Sequence, residues 1–239
     1  MTRRLLLALL LVAATATHAQ KKLSKNKAAI SESVENHKSD LIKISDDIWA
    51  NAEIAFEEYE SSKSLADYAE ANGFTVERGV ADMETAFVAT YGSGKPVIGI
   101  LGEIDALPGI SQKAMPTKEP LKDGAGGHGC GHNMFGTASL GAAIAIKEMM
   151  EAGKIKGTVK FFGTPSEEKY FGKIWMVRDG LWDDVDVNIS WHPSAKTEAD
   201  VQSSLALVDF MVEFTGQAAH ASADPWNGRS ASDALELYT

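Results

Sequence analysis

Scarcity of cysteine is the first constraint. The chain has one cysteine, Cys130, in 239 residues, so no disulfide closes within it and that thiol is left for other chemistry. Long hydrophobic runs are scarce as well. After the run at residues 5–14, nothing approaches the ~18 apolar residues a membrane span needs, and no stable membrane anchor is expected. Basic residues are outnumbered, with 23 Lys and Arg against 33 Asp and Glu and a formal charge of −10. That balance argues against nucleic acid or an anionic membrane as the main partner. Internal repeats and low-complexity tracts are missing, which leaves one large globular domain, or one and a fraction.

The N-terminus reads as a targeting segment. Arg3 and Arg4 precede the apolar run, and Thr17-His18-Ala19 supplies the small residues that flank a cleavage site. Residues 1–19 are expected to be a secretory leader cut before Gln20, which places the mature chain in the periplasm or outside the cell. Its removal makes the remaining chain still more acidic.

Chemistry concentrates in Gly127-His128-Gly129-Cys130-Gly131-His132-Asn133. A thiolate and an imidazole are good ligands for a borderline-soft divalent ion. The small and aliphatic residues at 137–150 predict a buried helix ending at Gly153. Cys130 then lies at or before a helix N-terminus, where the macrodipole favours the thiolate. Taken alone, Cys-Gly-His equally describes a buried cysteine beside a turn histidine.

Periodicity organises the rest. Ile30, Val34, Leu41, Ile44 and Ile48 recur at helical spacing, and a second helix at residues 61–72 ends at Gly73. Strands are predicted at 74–76 and 86–91, and 97–101 is the continuous apolar run of a strand buried on both faces. A long irregular loop spans 106–127. Further strands are predicted at 158–162, 187–192 and 205–214. The predicted architecture is α/β: a mixed central sheet flanked by helices, followed by the start of an α+β lid.

Strand ends then deliver Glu103 and Asp105, Glu167 and Glu168, and His192, while Cys130 and His132 come from the loop before the helix. Ligands of open α/β sheets bind outside the carboxyl ends of strands. Each residue alone has a bland reading as a surface acid or a loop histidine. Together they predict a metal site at one sheet edge, with Cys130 and His192 on opposite sides of the pocket.

In order and wording, residues 102–108 (Gly-Glu-Ile-Asp-Ala-Leu-Pro), 128–132 (His-Gly-Cys-Gly-His), the Glu167-Glu168 pair and His192-Pro193 resemble the M20 metallopeptidase and amidohydrolase family. The similarity is to its branch of aminoacylases, hippurate hydrolases and auxin-conjugate hydrolases, and it extends from about residue 27 onward. The resemblance implies a zinc-exopeptidase-like catalytic domain at 20–203 and the beginning of a lid and dimerisation domain at 204–239. It implies two divalent ions, zinc or manganese, held by Cys130, His132, Glu168 and His192. Glu167 matches the general base, and Asp105 the aspartate behind a ligand. His220 matches the lid histidine that stabilises the oxyanion in a neighbouring subunit. Glu103 stands where related peptidases place a histidine ligand, and Asn133 where most of the branch has aspartate.

The implied substrate is a small N-acyl amino acid or peptide, and the implied assembly a dimer through the lid. The alternative is a non-catalytic chain that keeps the fold and serves as a binding partner. Residues 231–239 read as the first helix of the lid, so the chain is expected to be an incomplete copy that is inactive by itself. The rival expectation is a compact variant in which Glu103 or His128 supplies a missing ligand.

Overall fold

Helical spacing of the apolar residues between 30 and 48 forms two helices in the computed structural model, which describes residues 23–199, 201, 203 and 205–238. The expected leader lies outside the described residues. Helix α1 spans Lys25–Asn36 and α2 spans Lys38–Asn51. They break at His37, whose ring contacts the Tyr68 hydroxyl at 2.7 Å and Glu148 at 2.9 Å. Helix α3, Tyr59–Ala71, is followed by Gly73 in the left-handed conformation that ends a helix.

Five strands follow: β1 Thr75–Arg78, β2 Phe87–Ser93, β3 Val97–Glu103, β4 Gly157–Thr164 and β5 Val187–Ile189. They form one sheet in the order β1-β2-β4-β3-β5. β3 runs parallel to both β4 and β5, whereas β2 is antiparallel to β4 and β1. Helix α4, His132–Glu151, connects β3 to β4, as a parallel pair requires a crossover. The short helix α5, Gly172–Arg178, comes between β4 and β5, and α6, Ala231–Tyr238, lies near the chain end.

Both faces of the sheet are covered, and β4 shows why. Successive side chains of a strand point to opposite faces. Phe161 accordingly packs with Ile48, Leu65, Leu140 and Ile144, while its neighbour Phe162 packs with Val80, Val88 and Met176 on the other face. The parallel register sets Glu103 opposite Thr164, so the acids that follow both strands emerge at the same edge.

Two expected strands differ in the structure. Pairing at 187–192 stops after Ile189. The Trp191 indole instead donates to Ser139 Oγ at 3.0 Å and meets the Phe135 ring edge-on, which draws the chain off the sheet and onto α4. Residues 205–214 form no strand. Alternation favours a half-buried strand only where a neighbour supplies the ladder. Among the described residues none does, and Leu205 and Met211 are 96% and 90% exposed. The chain divides into two compact units, Met1–Ala195 and Lys196–Thr239.

Candidate metal centre

His132 is where the site is assembled. Helix α4 starts five residues earlier than the apolar run suggests, which places this imidazole on its first residue. The preceding Gly131 has φ +83°, a conformation that L side chains rarely adopt, and a Cβ there would lie 2.8 Å from Pro193 Cγ. Glycine therefore permits both the turn into the helix and the close approach of the His192-Pro193 segment.

His132 is fully buried. Its Nδ1 lies 3.0 Å from the Asp105 carbonyl oxygen and 3.1 Å from Asp105 Oδ1. Both are acceptors, so Nδ1 carries a hydrogen, and Nε2 is the nitrogen whose lone pair faces the site once its own proton is given up. That nitrogen is 2.8 Å from Glu103 Oε2 and 3.9 Å from Glu168 Oε1. Glu103 Oε2 is also 3.9 Å from His192 Nε2. Cys130 Sγ lies 3.3 Å from His192 Nε2, so these two stand side by side and not on opposite sides of a pocket.

Two overlapping groups of ligand atoms result. One is Cys130, His132 and His192; the other is Glu103, His132 and Glu167; within each, the atoms lie inside 4.8 Å of one another. His132 Nε2, Glu103 Oε2 and Glu168 Oε1 are buried without a hydrogen-bond partner, and the short contact between the first two lacks hydrogen-bond alignment. Buried polar atoms left unpaired are costly. Two of them, on Glu103 and Glu168, flank the third on His132, and with a thiol alongside the imidazole and carboxylates they fit a divalent cation in both donor type and burial.

The surroundings hold these donors. Asp105 Oδ2 accepts the Glu168 amide at 2.8 Å, so one carboxylate orients His132 with one oxygen and the Glu167-Glu168 turn with the other. Lys173 Nζ lies 2.5 Å from Glu103 Oε1, leaving Oε2 to face His132.

The site is crowded with negative charge, which shifts the ionisation of its residues. For Cys130, burial and then the charges of Glu168, Glu167 and Glu103 push the thiol up to about 12. This reverses the expected thiolate: a helix end carries roughly half a charge, and it faces several full carboxylates. Burial alone would lower His132, but its hydrogen bond to Asp105 and the negative charges of Glu103 and Asp105 outweigh that and raise it to about 10. Glu167 is raised by burial and by the Glu103 charge. Burial likewise opposes ionisation of Glu103, yet His132 and Lys173 hold it below the usual carboxylate range.

Other candidates are placed elsewhere. The His128 ring is 4% exposed, with Nε2 3.1 Å from the Ile48 carbonyl oxygen, and burial lowers it to about 4. It ties the loop to α2 and belongs to neither ligand group. Asn133 donates to Ser45 Oγ at 3.0 Å, also toward α2. His220 lies in the second unit, where its Nδ1 accepts the amides of Ser222 and Ala223 at 3.2 Å each. The ligand set implied by the sequence omits Glu103, although its place at a buried strand end is visible there. Nothing in the local sequence marks Lys173 or Glu58, whose contacts lie 70 and 108 residues away.

Comparison with known proteins agrees with this geometry. The model of peptidase family M20/M25/M40 matches residues 99–235. The chain is 46% identical to one of the subunits of p-aminobenzoyl-glutamate hydrolase of Escherichia coli over 213 residues, covering 88% of this chain and 44% of that protein. It is 30% identical to the Xaa-Arg dipeptidase of Mus musculus, covering 94% of this chain and 51% of that protein. The chain thus spans about half the length of these curated relatives. Among solved structures, a dinuclear metal-binding peptidase of the M20 family from Bacillus subtilis is 28% identical with a TM-score of 0.53, covering 68% of this chain and 42% of that one. The aminobenzoyl-glutamate utilization protein of Klebsiella pneumoniae shares the fold at a TM-score of 0.59 and 18% identity, covering 87% of this chain and 58% of that one. The chain belongs to peptidase family M20/M25/M40.

Proposed function

We propose that this chain carries the metal centre of an amidohydrolase that cleaves the amide bond of a small N-acyl amino acid or peptide. The observation that carries the reading is the convergence of thiol, imidazole and carboxylate donors on His132, where His132 Nε2 and Glu103 Oε2 are buried without a hydrogen-bond partner and Glu168 Oε1, likewise unpartnered, lies 3.9 Å from the imidazole. Cys130, His132, His192 and Glu168 would hold divalent ions, with Glu103 beside them. Bound divalent ions supply polarisation of the scissile carbonyl and a lowered pKa for the attacking water.

The chain's own residues supply the proton handling and the orientation. Glu167 belongs to the ligand group around His132 and is raised by burial and by Glu103. A carboxylate so placed takes the proton of the attacking water and passes it to the leaving nitrogen. The amide C–N bond breaks, and a carboxylic acid and an amine leave. Asp105 keeps the His132 proton on Nδ1, and Lys173 fixes Glu103.

The relatives support the substrate class: one belongs to a hydrolase of p-aminobenzoyl-glutamate and another is a dipeptidase. A second chain is part of the proposal, because two different subunits of that hydrolase are each similar to this protein. His220 retains its proposed role as an oxyanion donor to a neighbouring site, and export to the periplasm or beyond remains the proposed location.

The test is a titration of the purified full chain with Zn²⁺ and Mn²⁺, followed by an assay for p-aminobenzoate release with and without a candidate partner chain. Stoichiometric metal bound by wild type and lost in His132→Ala is expected. Wild-type protein that binds no divalent ion would overturn the reading.

A further inference from the structure

The connection between α2 and α3 contributes no donor, yet it touches the loops that do. The Glu53 carbonyl accepts the Ala106 amide at 2.8 Å, directly after Asp105, and Ile54 forms a parallel bridge with Ala106. Gly126 packs so close that a Cβ would meet the Ala52 carbonyl oxygen at 2.4 Å. Glu58, at the end of the connection, is fully buried. Its Oε1 accepts the Ser166 amide at 2.9 Å, and its Oε2 accepts the Thr85 hydroxyl at 2.9 Å.

Ser166 is the hinge of the turn that carries Glu167 and Glu168. It is itself fully buried and has φ +54°, in the left-handed region. For a residue with a Cβ that conformation is strained and persists only where its surroundings impose it. The impositions are visible. Ser166 Oγ accepts the Tyr170 amide at 3.2 Å, and the Tyr170 ring stacks on Phe56 at 5.4 Å. Phe56 and Glu58 therefore grip the turn at both ends. A fully buried carboxyl is an expensive choice where an apolar residue would pack.

We propose that Glu58 is a positioning residue for the metal-ligand turn: its carboxyl oxygen holds the Ser166 amide, and through it aims Glu167 and Glu168 at His132. This rests on the reading of the site as a metal centre.

The test uses the full chain, titrated with Mn²⁺ by calorimetry and by the electron paramagnetic resonance signal of bound Mn²⁺. Glu58→Met fills the space but offers no oxygen to Ser166. It is expected to stay folded, bind Mn²⁺ roughly 10–100-fold more weakly, as loss of an outer-shell partner does, and change the resonance line shape. Glu58→Gln keeps the acceptor and is expected to remain within about threefold of wild type on the same scale. Phe74→Leu, a core change beside the edge strand β1, should lower Tm and leave Mn²⁺ affinity unchanged.

Wild-type affinity in folded Glu58→Met would overturn the proposal, as would Glu58→Gln weakened as much as Glu58→Met. Should Glu58→Met not fold, Glu58→Leu, which likewise offers no oxygen to Ser166, takes its place with the same expected weakening and the same overturning result. Wild type that binds no Mn²⁺ would instead bring down the metal-centre reading, so the two failures are distinguishable.

Discussion

Asp105 stands behind His132, with Oδ1 3.1 Å from Nδ1 while its Oδ2 accepts the Glu168 amide at 2.8 Å. One buried carboxylate therefore sets the tautomer of one donor and the backbone of another. Replacing it by alanine is expected to weaken divalent metal binding about 10–100-fold while the chain stays folded. Calorimetric titration of Asp105→Ala checks this, and unchanged affinity would show that Asp105 plays no such part.

The adjacent glutamates are expected to separate in their effects. Glu167→Gln should retain metal and lose turnover in the active assembly by ~10²–10⁴-fold, because an amide cannot accept the water's proton. Glu168→Gln should lose metal instead. Parallel metal analysis and rate measurement decide it, and equal metal loss in both variants means the two roles are wrongly assigned.

Metal affinity should rise with pH. At neutral pH the metal-free site holds a protonated Cys130, pushed up to about 12, and a protonated His132, raised to about 10. A cation must displace both protons, so acid opposes binding and base favours it. Calorimetry in buffers of different ionisation enthalpy should show about two protons released per site occupied near pH 7. Binding without proton release would contradict this.

Stability should show the opposite trend through Glu58. Burial raises its carboxyl from 4.5 to about 7. Between those values the folded chain holds a proton that the unfolded chain has lost, so this group's contribution to stability falls as pH rises through the window. The full swing is about 3 kcal/mol at most. Glu58→Gln should remove it, giving a flatter pH dependence of the unfolding free energy between pH 4.5 and 8. Denaturant melts across that range are the measurement, and an unaltered slope would sink the claim.

Much of the site was legible in the chain because ligand chemistry is local to residue type. Cys130 and His132 are two residues apart, and Glu167, Glu168 and His192 each follow an apolar run whose length and composition announce a strand. The buried strand at β3 and the body of helix α4 were readable from their apolar runs, whereas the first turn of α4, which carries His132, was not. Patterns of period 2 were less dependable. The alternation at 205–214 matches a strand, but among the described residues no neighbour pairs with it. The ladder predicted to run to His192 ends at Ile189 because Trp191 turns onto α4.

By itself, then, the sequence determined the class of fold, the donor types and the order in which strands deliver them. Those depend on composition and short-range periodicity, which every residue carries with it. Only tertiary structure decided which donors meet. The parallel register of β3 and β4 brings Glu103 and Asp105 beside the Glu167-Glu168 turn. Helix α4 sets His132 between them. The α2–α3 connection reaches from Glu58 to Ser166 across 108 residues. The ionisation of Cys130 was likewise decided in space, since full charges gathered from distant strands outweigh the partial charge of the helix end the sequence could see.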